Sequence, residues 1–359
     1  MKNLVTAIGA TLLLASVSAK AAHAQQLEDP LYEGEQSLYE AALEEGLVIS
    51  FDTGPTWANW SAQFEDFQAR YPGMQIVFND LGSGATVVAL EQARNRPQAD
   101  TAYYYASSAV DAHERELLAP FEPINFDAIP DVFKSPQGEW FTIHTLNIAF
   151  LVNTELVDEV PQRWADLLDE QYRNSIVYLD PRTTGQGQVM TLAANYANGG
   201  DLDDLQPGID YLEALSDAGN VSRVLGTTPY SQFLRGEIPI WIGYENDGLR
   251  AKITDEMGDR VAVVIPEEAS LAAPYAISLV DNGPHPNAGR LWLNYIMSEP
   301  GQRTFAEGFV RPVLDVDLPA SVSDELNEAP QIRLLDVRHA SQISERLSDM
   351  WRQQVLPVQ

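Results

Sequence analysis

Apolar positions recur at two spacings along the chain, and their alternation predicts an α/β architecture. Residues 38–45 carry a helical pattern stopped by Gly46, and 47–52 form an extended apolar run. The loop Thr53-Gly54-Pro55-Thr56 then opens a predicted helix, ended at Gly73, in which Trp57, Trp60, Phe64 and Phe67 share one face by their 3–4 spacing. A strand over 75–79, the loop Gly82-Ser83-Gly84-Ala85-Thr86 and a helix over 87–94 repeat the unit. A third strand near 101–104 leads into a helix ending around Leu118. This order implies a mostly parallel sheet with helices on both faces.

The pattern changes at 141–152, an unbroken β-type run long enough to cross between two lobes. A second series follows, with a helix over 164–169, a strand over 175–179, the loop 180–187 and a long helix to Tyr196. Helices over 209–216 and 228–235 and a strand over 239–243 complete it. Extended runs over 261–265 and 275–280 carry the chain back, and a helix over 288–297 rejoins the first lobe. The expected division is lobe 1 at 25–150, lobe 2 at 151–265, a return to lobe 1 at 266–309, and C-terminal helices at 310–359 against lobe 2 and the hinge. At 359 residues the chain exceeds what one core usually supports, so two lobes joined by extended crossings, with a cleft between them, are the predicted fold.

The first 24 residues have the layout of a cleavable secretory signal. Lys2 is followed by a largely apolar 4–17, and Ala22-His23-Ala24 is a small-x-small cleavage site ahead of Gln25. The apolar run is shorter than the roughly 20 residues a membrane span needs. An exported monomer is expected, in a Gram-negative periplasm. With 22 Lys+Arg against 52 Asp+Glu the formal charge is −30, which removes nucleic acid from the partners, because binding phosphates requires a cationic footprint. The absence of cysteine excludes disulfides, thiol catalysis, Cys-ligated metals and a lipid-anchored N-terminus. His113, His144, His285 and His339 are widely spaced, and no serine-hydrolase elbow, zincin helix or phosphate loop occurs. No catalytic residue, cofactor or metal is expected.

Ligands of open α/β sheets sit beyond the carboxyl ends of strands, where loops meet helix N-termini. Four loops hold such positions. The first carries Thr53 and Trp57. The second carries Ser83, Gly84, Ala85 and Thr86, with glycines for close backbone approach and helix amides for an anion. The third carries Arg182, Thr183, Thr184 and Gly185, with Thr183 or Thr184 as N-cap and Arg182 as a fixed cation. The fourth, after a strand containing Ile and Trp, carries Tyr244, Glu245 and Asp247. Tyr275 is a further candidate for an aromatic wall. Of Tyr103-Tyr104-Tyr105, alternate rings must face opposite ways.

Several stretches then bear a resemblance. Trp164-Ala165-Asp166-Leu167-Leu168, Tyr172-Arg173-Asn174-Ser175-Ile176, Asp180-Pro181, Asn198-Gly199-Gly200, Gln206-Pro207-Gly208-Ile209-Asp210 and Gly219-Asn220 follow one another in order. Ala276-Ile277-Ser278, Pro284-His285-Pro286-Asn287-Ala288, Ser298-Glu299-Pro300-Gly301-Gln302 and Arg311-Pro312-Val313 complete the set. In order and spacing the mature chain resembles the bacterial extracellular solute-binding proteins of ABC importers, in the type II periplasmic group that takes ferric iron, polyamines, thiamine, phosphonates or sugar phosphates. The resemblance implies a small solute bridging two lobes, hinge closure, and docking on a membrane permease. Ferric binders carry a tyrosine pair in the second lobe, where this chain reads Gly248-Leu249-Arg250-Ala251, so direct iron binding of that kind is not expected. Thiamine-degrading enzymes resemble these binders too, but they need a cysteine nucleophile. Two ligand classes remain. Ser83–Thr86 and Arg182–Gly187 suit a phosphate, phosphonate or carboxylate end, whereas Glu245 and Asp247 suit an amine or sugar hydroxyls, and with the rings of Trp57, Tyr244 and Tyr275 they suit a polyamine. The anionic end is preferred, and a phosphorylated sugar, an aminophosphonate or a similar zwitterion meets both demands.

Overall fold

A computed structural model describes residues 24–222, 229–326 and 332–356. The expected signal segment, apart from Ala24, and the expected helix start at Thr228 lie outside the described residues. The strands are β1 (Leu47–Phe51), β2 (Gln75–Phe78), β3 (Thr101–Tyr105), β4 (Leu118–Ala119), β5 (Phe141–Asn153) and β6 (Ile176–Val177). They continue with β7 (Ile240–Tyr244), β8 (Val261–Val264), β9 (Ser270–Val280), β10 (Arg311–Pro312) and β11 (Ile332–Leu334). The helices are α1 (Glu35–Glu45), α2 (Trp60–Arg70), α3 (Ser83–Gln92), α4 (Ala106–Glu114), α5 (Gly185–Ala197) and α6 (Gln206–Asp217). They continue with α7 (Tyr230–Leu234), α8 (Glu245–Leu249), α9 (Pro286–Ile296), α10 (Glu299–Glu307), α11 (Ala320–Ser323) and α12 (Val337–Gln354).

The main strand order is β2-β1-β3-β9-β5-β7-β6. β1 pairs in parallel with β2 and β3, and β6 with β7. β9 runs antiparallel to β3 and β5, and β5 antiparallel to β7 and β8. The sheet is therefore mixed. The two long strands β5 and β9 run against their neighbours along the main path, while the short β11 joins β9 in parallel. β5 makes the crossing visible: Phe141–Asn147 pairs with β9, and Ile148–Asn153 pairs with β7 and β8.

β3 sets the layers. Tyr103 and Tyr105 join the larger core with Trp60, His144 and Tyr275 around them, while Ala102 and Tyr104 face the opposite cluster with Val87, Ala109 and Trp140. This is the period-2 alternation of a strand buried on both sides. The last helix ties the lobes together. Val337, Ala340, Ile343, Leu347 and Trp351 recur at helical spacing and are buried, and α12 packs on α4 of lobe 1 and on α5 and α6 of lobe 2. Asp336 caps it by accepting from the N–H groups of Arg338 and His339.

Candidate functional site

The cleft lies where the carboxyl ends of β1, β3 and β7 meet the start of α3, α5 and α8, around about 610 Å³ of space including its mouth. On the lobe 1 side the chain leaves β1 through Asp52, whose φ of 60 turns it out of the sheet. Asp52 is 1% exposed. Its Oδ1 accepts from the N–H of Gly82 at 2.7 Å and of Leu81 at 3.2 Å, while Oδ2 is buried with no partner among the described residues. Burial holds this carboxyl well above its ordinary pKa, and the nearby Asp80 adds to that, against the Gly82 N–H. Ser83, at the head of α3, accepts the Tyr105 N–H at 2.9 Å, which leaves its hydroxyl proton for the cavity.

The expected helix through Trp57 starts later. Ala58 and Asn59 sit in the left-handed region, with φ of 46 and 57, so α2 begins at Trp60. The consequence separates two tryptophans. Trp60 packs into the core against Tyr103 and Phe305. Trp57 lines the cavity, set edge-on to Tyr275 at 5.7 Å, with its Nε1 buried and unpartnered among the described residues.

On the lobe 2 side Thr184 is the N-cap of α5, its side chain accepting the Gly187 N–H at 3.1 Å. The amides of Gly185 and Gln186 belong to the first turn, which has no intrahelical acceptors. A Cβ on Gly185 would stand 2.5 Å from Tyr105 Cβ and 3.1 Å from Tyr275 Oη, so only glycine lets this helix end approach lobe 1. Gln186 Oε1 accepts from Trp241 Nε1 at 3.2 Å. The tyrosines of β7 and β9 meet above, Tyr244 Oη lying 3.0 Å from Tyr275 Oη. α8 presents Asn246 and Asp247 in its first turn. Asp247 is buried, and desolvation pushes its carboxyl up to about 7, against the opposing pull of Arg250. Three helix N-termini, each partly positive, thus converge beside Asp52, Asp80 and Asp247. Among the described residues no Lys, Arg or His lines this cavity, and no group of acids or histidines is arranged to hold a metal.

The walls touch at the mouth. A Cβ on Gly82, whose φ is +84, would lie 3.0 Å from the Thr183 carbonyl oxygen, and Arg250 Nη1 donates to the Thr56 carbonyl at 2.8 Å.

Of the residues expected from sequence, Trp57, Ser83, Thr184, Gly185, Tyr244, Asp247 and Tyr275 are brought to the cavity wall. The other seven are not on it. Thr53 is buried behind it, donating to the Ser50 carbonyl. Thr86 turns its hydroxyl onto the Gly82 carbonyl, and Gly84 and Ala85 are exposed on α3. Thr183 offers its carbonyl to Gly82 but no side chain to the cavity. Arg182 points away because Asp180, two residues earlier, takes both its backbone N–H at 2.8 Å and its guanidinium at 2.5–3.1 Å, with the Trp351 ring beneath it. Glu245 is ion-paired with Arg311 at 3.0 Å and accepts from Asn147 Nδ2 at 2.9 Å.

The wall also holds Thr56, Gly82, Gln186 and Asn246, which lie in the four expected loops but were not singled out, and Asp52, Asp80, Leu179, Tyr230 and Trp241, which sequence reasoning missed. Asp52 was assigned to the end of a strand, although the carboxyl end of a strand is the preferred ligand position. By the same rule Asp80, just after β2, was within reach. Trp241 and Tyr230 gave no sequence signal, since a ring inside a buried strand or a short helix reads as core.

A two-lobed α/β body with unpartnered polar atoms facing an interlobe cleft is the architecture of a protein that captures a small solute. The sequence comparisons agree. Residues 100–340 match the model of the family described as bacterial extracellular solute-binding protein, and the chain belongs to that family, whose members serve ABC transport systems. A periplasmic protein of Salmonella typhimurium, provisionally assigned to binding 2-aminoethylphosphonate, is 27% identical over 257 residues, covering 69% of this chain and 72% of its own. In fold the chain is similar to the periplasmic binding protein AfuA of Actinobacillus pleuropneumoniae, solved with fructose 6-phosphate. That similarity has TM-score 0.69 and 23% identity, over 88% of this chain and 100% of that one. It is similar also to a ferric binding protein of Campylobacter jejuni, with TM-score 0.67 and 14% identity, over 85% and 98%.

Proposed function

We propose that the protein captures a small zwitterion in its cleft and hands it to an ABC permease in the membrane. The ligand's anionic end, a phosphonate, phosphate or carboxylate, meets the first-turn amides of α3, α5 and α8, and its ammonium meets Asp52, Asp80 and Asp247. The observation that carries this is Asp52, which lines the cavity and whose Oδ2 is buried with no partner among the described residues. A buried polar atom without a partner is costly and is normally satisfied in the working complex, and an ammonium placed there favours the ionised carboxylate that burial alone opposes. The Salmonella relative's assignment to 2-aminoethylphosphonate supports the same pairing of charges. A sugar phosphate without an amine meets Asp52 only through a neutral hydroxyl, a weaker partner for a carboxylate than an ammonium. The three wall carboxylates favour one rival, a polyamine. Export to the periplasm, a monomeric state, a cleft divided where β5 changes partners at Asn147 and Ile148, and binding without turnover belong to the same proposal.

Calorimetry with 2-aminoethylphosphonate, 2-hydroxyethylphosphonate, ethanolamine, putrescine and fructose 6-phosphate tests it. Only the first is expected to bind at micromolar affinity or tighter, about −8 kcal/mol. Putrescine binding with no heat from the zwitterion establishes the polyamine reading instead.

A further inference from the structure

We propose that Arg250 is a positioning residue which latches the closed cleft and, through the Thr56 carbonyl, fixes the backbone that carries Trp57. The proposal rests on the cleft being the solute site. The helix begun by α8 continues past Leu249 as a π turn over Arg250–Thr254, a distortion that often marks functional positions. Lobe 2 alone arranges the guanidinium. Its Nε lies 3.6 Å from Asp255 Oδ2, its plane lies over the Tyr230 ring at 4.8 Å, and the Tyr230 hydroxyl in turn donates to Asp255 at 2.5 Å. Nη1 then reaches across the mouth to the Thr56 carbonyl at 2.8 Å.

Each part of this arrangement has a consequence. The guanidinium is held before closure, so closing immobilises little further. The bond to Thr56 exists only while the lobes touch, so losing it accelerates opening and release more than it slows association. The acceptor is a backbone atom next to Trp57, whose unpartnered Nε1 faces the cavity wall, so the latch also sets where that donor points. Arg250 acts on charge as well, since it opposes the upward shift of Asp247 three residues earlier. The groups facing Arg250 are Asp255, Tyr230, Asp247 and the Thr56 carbonyl.

Lysine keeps the charge but has neither the planar fork nor the stacking face, so Arg250→Lys separates latch from charge. With 2-aminoethylphosphonate as probe, stopped-flow dissociation from Arg250→Lys is expected to be about tenfold faster than from wild type, with the pH midpoint of binding unchanged. Arg250→Gln is expected to show the faster release together with an upward shift of that midpoint. Wild-type release from Arg250→Lys overturns the latch. A ligand-free readout stands apart from the choice of solute. The chain has no cysteine, so Glu40→Cys on α1 and Glu213→Cys on α6 accept spin labels for an interlobe distance distribution. Arg250→Lys is expected to move population from the short to the long distance. Identical distributions overturn the latch, whereas failure of the wild type to bind the probe overturns the ligand proposal alone.

Discussion

Two buried carboxylates stand in equivalent places, one residue past a strand of each lobe, and they are treated in opposite ways. Asp52 follows β1 and Glu245 follows β7, and each is at most 2% exposed. Glu245 is ion-paired with Arg311 and accepts from Asn147. Asp52 has two backbone N–H donors on one oxygen and nothing on the other, and it opens onto the cavity. A buried charge that already has its counter-ion is part of the framework, and removing the partner is what costs. One with an oxygen unmet is either strained or waiting for a donor. Burial alone therefore does not mark a binding acid, whereas burial with an unmet oxygen at a cavity does.

The largest effect that tests this contrast falls on stability. Glu245→Ala takes away the buried carboxylate that Arg311 and Asn147 both engage and is expected to lower the unfolding free energy by about 3 kcal/mol, read by urea denaturation. Asp52→Asn is expected to leave stability unchanged or raised, because it removes a carboxylate held above its ordinary pKa. Its cost falls on binding, about 100-fold for the zwitterion, or about 2.8 kcal/mol at about 1.4 kcal/mol per tenfold. Equal losses of stability in the two variants erase the distinction.

Asp247 gives a smaller effect with a definite sign in pH. Its carboxyl is raised from 3.8 to about 7 in the folded protein, so the fold binds the proton more tightly than the unfolded chain does. That contribution is fully present below about pH 4 and is lost as pH rises toward 7. Asp247→Asn is therefore expected to match wild type at pH 4 and to exceed it at pH 8, seen as a higher melting temperature. An ammonium favours the ionised carboxylate, so the Asp247 proton makes wild-type affinity rise with pH up to about 7, by at most tenfold per unit. The variant should lose that part of the rise while keeping the part due to Asp52, which burial also holds above its ordinary value. Arg182→Ala defines the small end. Its guanidinium is engaged by Asp180 outside the cavity, so calorimetry should find less than a twofold change.

The course of the chain was legible in its apolar periodicity, because strands and helices of a two-layered body must each present a buried face. The alternation at Tyr103–Tyr105, the crossing strand β5 and the Thr184 cap all follow from such local rules. The sheet's mixed sense did not, since whether a crossing strand runs with or against its neighbours is decided by partners far away along the chain. Within the site, helix starts were readable and side-chain allegiances were not. Arg182 reads as a ligand cation until Asp180 is seen to hold it. Glu245 reads as a ligand acid until Arg311 arrives from 66 residues later. Trp57 left its expected helix because two residues, Ala58 and Asn59, adopt positive φ, a choice no periodicity encodes.

The central claim is that Asp52 receives the ligand's ammonium while the helix N-termini receive its anionic end. The most direct measurement is a calorimetric cycle pairing wild type and Asp52→Asn with 2-aminoethylphosphonate and 2-hydroxyethylphosphonate. The account predicts that removing the carboxylate or removing the amine each weakens binding about 100-fold, and that removing both weakens it little further, a coupling of about 2.8 kcal/mol. Additive losses, or equal affinity of the wild type for the two phosphonates, contradict it.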